Sequence, residues 1–146
     1  IPKNGISTEK IITEGKSKTR EEMLKKYNQI DIALDPFPYS GITTSLEANW
    51  MGVPLLTKKG NNFYSRIGTS INKNLKMDDW IAVNDEDYVS KAVSKVSNLE
   101  QLFQIKRQLR ERFLKSSLSD SKKYCKHFEN ALNIMWKTHL KKIKVE

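Results

Sequence analysis

The sequence contains very little cysteine and no long apolar run. Cys125 is the single cysteine in 146 residues, so no internal disulfide can form, and a reducing compartment is indicated. No stretch is apolar enough to cross a membrane, and no secretory signal is present. We therefore expect a cytoplasmic protein, with Cys125 buried in a helix. Because the chain does not begin with Met, we also expect it to be part of a longer protein.

Metal-binding patterns are lacking as well. The only histidines, His127 and His139, are 12 residues apart in a basic segment, and no zinc-type spacing of cysteine and histidine occurs. Neither histidine has a nearby partner pattern that would indicate catalysis. We therefore predict no metal site. The sequence also lacks internal repeats and low-complexity linkers, and its length suits one domain.

Negative charge is scarce in the last third of the chain. Residues 101–146 carry 12 Lys plus Arg against 4 Asp plus Glu, or +8, whereas residues 1–100 carry 14 against 13, or +1. Such a segment could attract nucleic acid, an acidic partner or an anionic membrane. A solvated lysine-rich helix face is the simpler interpretation. Because the basic face lacks interleaved aromatic residues and any recognised motif, we do not predict a nucleic-acid partner. Because no apolar stretch could cross a membrane, we predict no membrane partner either.

Short apolar runs alternate with helical patterns. The runs predict four strands, at Lys10–Glu14, Ile30–Leu34, Val53–Leu56 and Trp80–Val83. The first helix is predicted from Ser17 or Thr19 to about Tyr27 or Gln29, and the second from Thr43 or Thr44 to Gly52. Further helices are predicted over Phe63–Leu75, from Asn84 or Asp85, over Leu99–Phe113, and from Ser119 or Asp120 to about Lys142. This alternation predicts an α/β fold with a parallel sheet.

Three of these helices carry apolar stripes that should face the core. In the helix at Phe63–Leu75 the stripe consists of Ile67, Ile71 and Leu75. In the helix from Asn84 the stripe consists of Tyr88, Val89, Ala92, Val93 and Val96. In the last helix it consists of Tyr124, Phe128, Ala131, Leu132, Met135 and Trp136.

Residues 35–47 hold the most informative chemistry. A loop with two prolines ends at Gly41, which lacks a Cβ where a ligand could approach the backbone. Thr43 and Thr44 follow, and either they cap a helix or their N–H and hydroxyl groups bind an anion such as a diphosphate. Glu47 lies one turn later and could bind ribose hydroxyls or simply stabilise the helix start.

The same residues carry a resemblance to a known family. ALDPFPYSGITTSLEANWMGVPLLT, residues 33–57, resembles the signature of the O-GlcNAc transferase family, glycosyltransferase family 41, which also includes SPINDLY-type O-fucosyltransferases. The family pattern is similar to LDxxPYNGxTTxxEALWMGVPVVT. The likeness continues through Gly60, Ser65–Gly68 and Asp87–Val89, reaches Met135–Trp136, and covers about residues 10–140.

The resemblance implies a fold and a division of the chain. Family members have a GT-B fold of two Rossmann-like lobes, and this chain would be most of the C-terminal lobe. Residues 1–146 would then form a single partial domain. Within it, residues 9–97 form a nucleotide-sugar-binding lobe and residues 98–146 form helices that pack on that lobe. The N-terminal lobe and tetratricopeptide repeats of the parent protein would be its partners.

It also implies a function. The parent would be an inverting glycosyltransferase that moves N-acetylglucosamine from UDP-GlcNAc to Ser or Thr of an acceptor protein. Use of GDP-fucose, as in SPINDLY-like enzymes, and a non-catalytic nucleotide-binding or interaction lobe are the alternatives. No cofactor or metal is implied beyond the nucleotide-sugar substrate. Because the catalytic base would lie outside this chain, we name no catalytic residue here and expect the chain alone to be inactive.

Nine donor-binding residues follow from the resemblance. Thr43 and Thr44 would hold the pyrophosphate and Glu47 the ribose, beside Gly41 and Ile42. In the preceding helix, Lys18 and Arg20 match the stretch that contacts the base, and Lys26 matches a basic residue close to the phosphates. Met23 stands where the family usually has histidine. Since methionine donates no hydrogen bond, phosphate contact at that position would be lost or moved.

Overall fold

The computed structural model describes residue 5 and residues 7–143, whose centre is a three-stranded parallel sheet. The strands are β1 (Ala33–Leu34), β2 (Leu55–Lys58) and β3 (Ile81–Ala82), in the order β1-β2-β3. Ala33 is in register with Leu55, and Thr57 with Ile81. Because the strands are parallel, their carboxyl ends lie at one edge of the sheet, where such folds bind ligands.

The described part of the chain contains six α-helices. They are α1 (Arg20–Lys26), α2 (Thr43–Trp50), α3 (Ile67–Asn74), α4 (Asp85–Ser97), α5 (Leu99–Lys115) and α6 (Ser121–Ile143). Short 3-10 turns cover Thr8–Lys10, Tyr27–Gln29, Tyr64–Arg66 and Asp78–Trp80.

Most helix starts follow from polar caps that the sequence displays. Thr19 accepts a hydrogen bond from the Glu22 N–H at 3.2 Å, and Asn84 accepts one from the Asp87 N–H at 2.8 Å. Asp120 caps α6 by accepting from the Lys123 N–H at 2.9 Å. These predicted helix starts are confirmed, since each side chain satisfies a backbone donor that the helix leaves unpaired.

The hydrophobic core lies between the sheet, α3 and α5. Leu56 of β2 and Trp80, the residue before β3, are almost completely buried. Residues from three further segments complete the cluster: Ile71, Leu75, Met77, Leu102, Leu109 and Phe113. The helix α5 therefore packs against the core.

The prediction of a strand at Lys10–Glu14 is wrong. Lys10 ends a 3-10 turn, Ile11–Glu14 have no regular structure, and Ile12 is 87% exposed. The sheet thus has three strands among the described residues instead of four. A short β-branched run forms a strand only beside a neighbour that accepts its hydrogen bonds, and sequence patterns do not identify that neighbour.

Two predicted apolar faces are wrong in part. In α4, Tyr88 and Ala92 pack against the core, but Val89, Val93 and Val96 are exposed. In α6 no described residue is buried, so its stripe and Cys125 face solvent, contrary to prediction. The expected packing of the last helix on the lobe is therefore not observed for α6. Periodicity identifies an amphipathic face but not whether anything covers it.

Within residues 5 and 7–143, the structure contains no helix long and apolar enough to cross a membrane. The same residues hold no group of three metal-ligating side chains.

Candidate functional site

The start of α2 presents unpaired backbone donors. Its N-cap is Ile42, which offers no side-chain cap, so Thr43 and Thr44 occupy the first turn and do not cap the helix. The N–H of Leu46 donates to the Ile42 carbonyl at 3.0 Å, while the N–H groups of the three preceding residues have no intrahelical acceptor. With the helix dipole, these donors favour an anion at this position.

Gly41 allows the chain to approach α2 closely. A Cβ at this position would lie 2.4 Å from Ser45 Oγ and 2.7 Å from Thr44 Oγ1, closer than real contacts allow. The Gly41 N–H donates to Asp35 Oδ1 at 2.9 Å, so it is not available to a ligand. Any anion at this helix start would therefore meet the donors of Thr43, Thr44 and Ser45.

A basic cavity of about 680 Å³ lies beside this helix, between residues 14–20 and the facing sides of α1 and α2. Five of the residues proposed from sequence line it together: Lys18, Arg20, Met23, Lys26 and Glu47. A second cavity, of about 450 Å³, is lined by Arg20, Thr43 and Glu47 with the aromatic side chains Trp50 and Phe113. Gly41, Ile42 and Thr44 line neither cavity and lie at the helix start.

Arg20 and Glu47 line both cavities and form an ion pair. Arg20 Nη2 lies 2.9 Å from Glu47 Oε1, and the Glu47 side chain is only 12% exposed while that of Arg20 is 74% exposed. A ribose that used both oxygens of Glu47 would have to share or displace Arg20. Because the arginine is exposed, that exchange costs little.

The other cationic candidate is also paired. Lys26 Nζ lies 2.6 Å from a carboxylate oxygen of Glu14 and donates to the Gly15 carbonyl at 3.3 Å. Both side chains are partly exposed, so a diphosphate could compete for this ammonium group. Met23 lines the same cavity with a thioether that has no proton to donate.

Sequence reasoning missed Tyr27. Its hydroxyl donates to the Thr44 carbonyl at 3.3 Å and so ties the end of α1 to the first turn of α2. Burial, with a smaller contribution from the Glu47 carboxylate, raises the pKa of Tyr27. A lone aromatic residue at a helix end carries no signal of such a contact in the sequence.

Asp35 was also missed, because the sequence marks it only as the first residue of the loop that follows a strand. It is 4% exposed, and besides Gly41 it accepts a hydrogen bond from Thr57 Oγ1 at 2.7 Å. Its backbone carbonyl accepts one from the Tyr88 hydroxyl at 3.1 Å. The carboxylate of Asp35 thus connects the loop before α2 to β2, and its backbone carbonyl adds a contact to α4.

The Tyr88 hydroxyl gives a pH-dependent prediction. Burial, with a smaller contribution from Asp35, raises the pKa of Tyr88 from 10.0 to about 12. The raised value favours the protonated hydroxyl in the folded state, so its stabilising contribution is complete below pH 10 and is lost as pH rises towards 12. The stability advantage of the parent over Tyr88→Phe should therefore shrink between pH 9 and pH 12, as measured by thermal unfolding.

The control for this experiment is Tyr39→Phe, which removes the same hydroxyl from an exposed ring and should cost no stability at pH 8. A difference between parent and Tyr88→Phe that stays constant up to pH 12 would contradict the prediction.

Comparison with known proteins places these features in context. The family model described as Glycosyl transferase family 41 matches residues 1–128. A probable UDP-N-acetylglucosamine–peptide N-acetylglucosaminyltransferase SPINDLY from Solanum lycopersicum is 34% identical over 116 residues, which are 80% of this chain and 12% of that protein. A UDP-N-acetylglucosamine–peptide N-acetylglucosaminyltransferase from Caenorhabditis elegans is 29% identical over 120 residues, 82% of this chain and 10% of that protein.

A solved structure agrees with these relatives. A mutant O-GlcNAc transferase from Thermobaculum terrenum superposes with a TM-score of 0.85 at 32% identity, over 92% of this chain and 26% of that one. Together with the parallel sheet and its flanking helices, this match confirms the expected fold class, a Rossmann-like lobe of GT-B type. The chain spans about 12% of the length of the SPINDLY relative from Solanum lycopersicum.

Proposed function

This chain belongs to glycosyltransferase family 41, and from that membership we propose that it is the donor-binding C-terminal lobe of an inverting protein O-glycosyltransferase. The family expected from the motif at residues 33–57 is confirmed by the family model and by the relatives. The parent protein would move N-acetylglucosamine from UDP-GlcNAc to a Ser or Thr hydroxyl of an acceptor protein. The names of the N-acetylglucosaminyltransferase relatives support this choice of donor.

The observation that carries the proposal is the uncapped start of α2 beside the basic cavity. The exposed residues Thr43 and Thr44 can add two hydroxyl donors to the backbone donors of the first turn. The cavity beside them has the volume and the cations to receive the rest of a nucleotide. We propose that the diphosphate binds at the helix start, the ribose at Glu47 and the base near Lys18 and Arg20.

These residues would stabilise the leaving group. The acceptor oxygen attacks the anomeric carbon as its proton passes to a base, and the bond from that carbon to the β-phosphate oxygen breaks with its electron pair going to the diphosphate. The new negative charge would meet the donors of α2, and Lys26 in the cavity beside α2 would add a positive charge. Fixed donors that meet developing charge lower the barrier without a metal ion. We propose that the acceptor site and the base come from the remainder of the parent protein.

A calorimetric titration tests the proposal. UDP should bind this chain in the micromolar to millimolar range, and Thr43→Ala combined with Thr44→Ala should weaken binding about tenfold or more. Each hydrogen bond to a charged phosphate contributes about 1.5–3 kcal/mol, which sets this expectation. The control combines Thr8→Ala with Thr138→Ala, two exposed threonines outside both cavities, and should leave affinity unchanged. Equal UDP affinity in the double variant and the parent would contradict the diphosphate position.

The same titration separates the donor alternatives. A preference for GDP over UDP would favour a GDP-fucose-using O-fucosyltransferase. Met23 is the observation that favours a non-catalytic lobe, because a thioether faces the cavity where the family usually has a histidine. If neither the chain nor the full-length protein bound any of the nucleotides, the non-catalytic interpretation would replace the enzyme.

A further inference from the structure

The carboxylate of Asp35 is buried between four segments of the fold. Both of its oxygens accept hydrogen bonds, Oδ1 from the Gly41 N–H and Oδ2 from the Thr57 hydroxyl. Its backbone carbonyl accepts the bond from Tyr88 in α4. A buried carboxylate is costly unless it is paired in this way, so these contacts hold Asp35 in one place.

The fourth segment is α3. A Cβ at Gly68, the second residue of α3, would lie 2.2 Å from Asp35 Oδ2 and 2.3 Å from Thr57 Oγ1. The start of α3 thus comes as close to the carboxylate as a glycine allows. The dipole of α3 favours the negative charge of that carboxylate. Asp35 is therefore hydrogen-bonded to Gly41, to Thr57 of β2 and to Tyr88 of α4. It also packs closely against Gly68 of α3.

We propose that Asp35 is a positioning residue for the donor diphosphate, because it fixes Gly41 and thereby the first turn of α2. This inference rests on the proposed function. Asp35 does not itself contact the donor, since both oxygens are occupied by protein donors and the residue is 4% exposed. It acts by orienting the N–H groups of Thr43, Thr44 and Ser45.

Hydrogen-bond geometry, and not the charge of Asp35, carries this role. Asparagine can replace it, because its Oδ1 can accept from the Gly41 N–H while its amide nitrogen donates to the Thr57 hydroxyl, which can also accept. Alanine leaves the Gly41 N–H without an acceptor and frees the loop that precedes α2. The two substitutions should therefore differ in donor affinity.

The test measures UDP affinity by calorimetry in the full-length protein that carries this chain. Asp35→Ala should weaken UDP binding about tenfold or more, whereas Asp35→Asn should stay within about threefold of the parent. Circular dichroism identifies a temperature at which every variant is folded, and the titrations are carried out at that temperature. If Asp35→Ala does not fold, Asp35→Ser takes its place, because the short hydroxyl fits the site but cannot reach both donors.

Thr57→Val is the matched control. It removes the hydrogen bond at Oδ2, keeps the shape of the side chain and leaves the bond from Gly41 in place. It should lower the thermal midpoint but keep UDP affinity within about threefold of the parent. Equal losses of affinity in Thr57→Val and Asp35→Ala would overturn the inference, because Asp35 would then have only a structural role. A loss in Asp35→Asn as large as in Asp35→Ala would overturn it as well.

The combined Thr43→Ala, Thr44→Ala variant separates this inference from the proposed function. If that variant loses UDP binding while Asp35→Ala keeps it, the inference fails and the proposed function stands. If the full-length parent does not bind UDP, the proposed function fails and the inference fails with it.

Discussion

Replacing Trp80 by alanine should lower the free energy of unfolding of this chain by about 3–5 kcal/mol. The indole is 1% exposed and lies in the core cluster with Leu56 of β2 and Leu109 of α5. Its removal loses the transfer free energy of a large aromatic side chain and leaves a cavity that the surrounding helices cannot fill completely. Urea unfolding followed by circular dichroism measures the change. Tryptophan fluorescence is not used, because the substitution itself would alter that signal.

Trp136→Ala is the matched control, because it removes the same side chain from α6, where the indole is 60% exposed. It should change the free energy of unfolding by no more than about 0.5 kcal/mol. A loss at Trp136 as large as that at Trp80 would mean that α6 is covered in solution.

Gly68→Ala should destabilise the chain by about 2 kcal/mol, although alanine is the better helix former. The added methyl group would overlap the Asp35 carboxylate and the Thr57 hydroxyl, both of which are buried and hydrogen-bonded to each other. Either α3 moves away from β2 or the hydrogen bond breaks. The same urea unfolding experiment measures the loss.

Gly15→Ala provides the control, since a Cβ at that exposed position would meet nothing within 4 Å. Its stability should equal that of the parent or slightly exceed it, because alanine restricts the unfolded chain. If Gly68→Ala were as stable as Gly15→Ala, the close approach of α3 to Asp35 would be wrong.

The motif predicted some features of the candidate site and could not predict others. The motif at residues 33–57 identified Gly41, Thr43 and Glu47, and the structure places Thr43 and Glu47 in the lining of one cavity. The motif did not identify the Arg20–Glu47 ion pair, which joins residues 27 positions apart. Nor could it indicate that Thr43 and Thr44 leave the helix uncapped, because a threonine at a helix start fits both roles.

The sequence by itself determined the local features of this protein. The helix starts at Arg20 and Asp85 follow from the caps Thr19 and Asn84, and Gly52, with φ of 81°, ends α2 where a left-handed residue is required. Each of these depends on hydrogen bonds between residues a few positions apart, and such bonds leave a pattern in the chain.

Only the tertiary structure decided which of the predicted segments pack against another segment. The run at Lys10–Glu14 and the apolar face of α6 look in sequence like a strand and a core helix, yet no residue of either is buried. Asp35 looks like a loop residue, yet it is a buried centre of hydrogen bonds. The physical reason is that burial and long-range hydrogen bonding depend on which segments meet in space, and a hydrophobic or polar period in one segment does not contain that information.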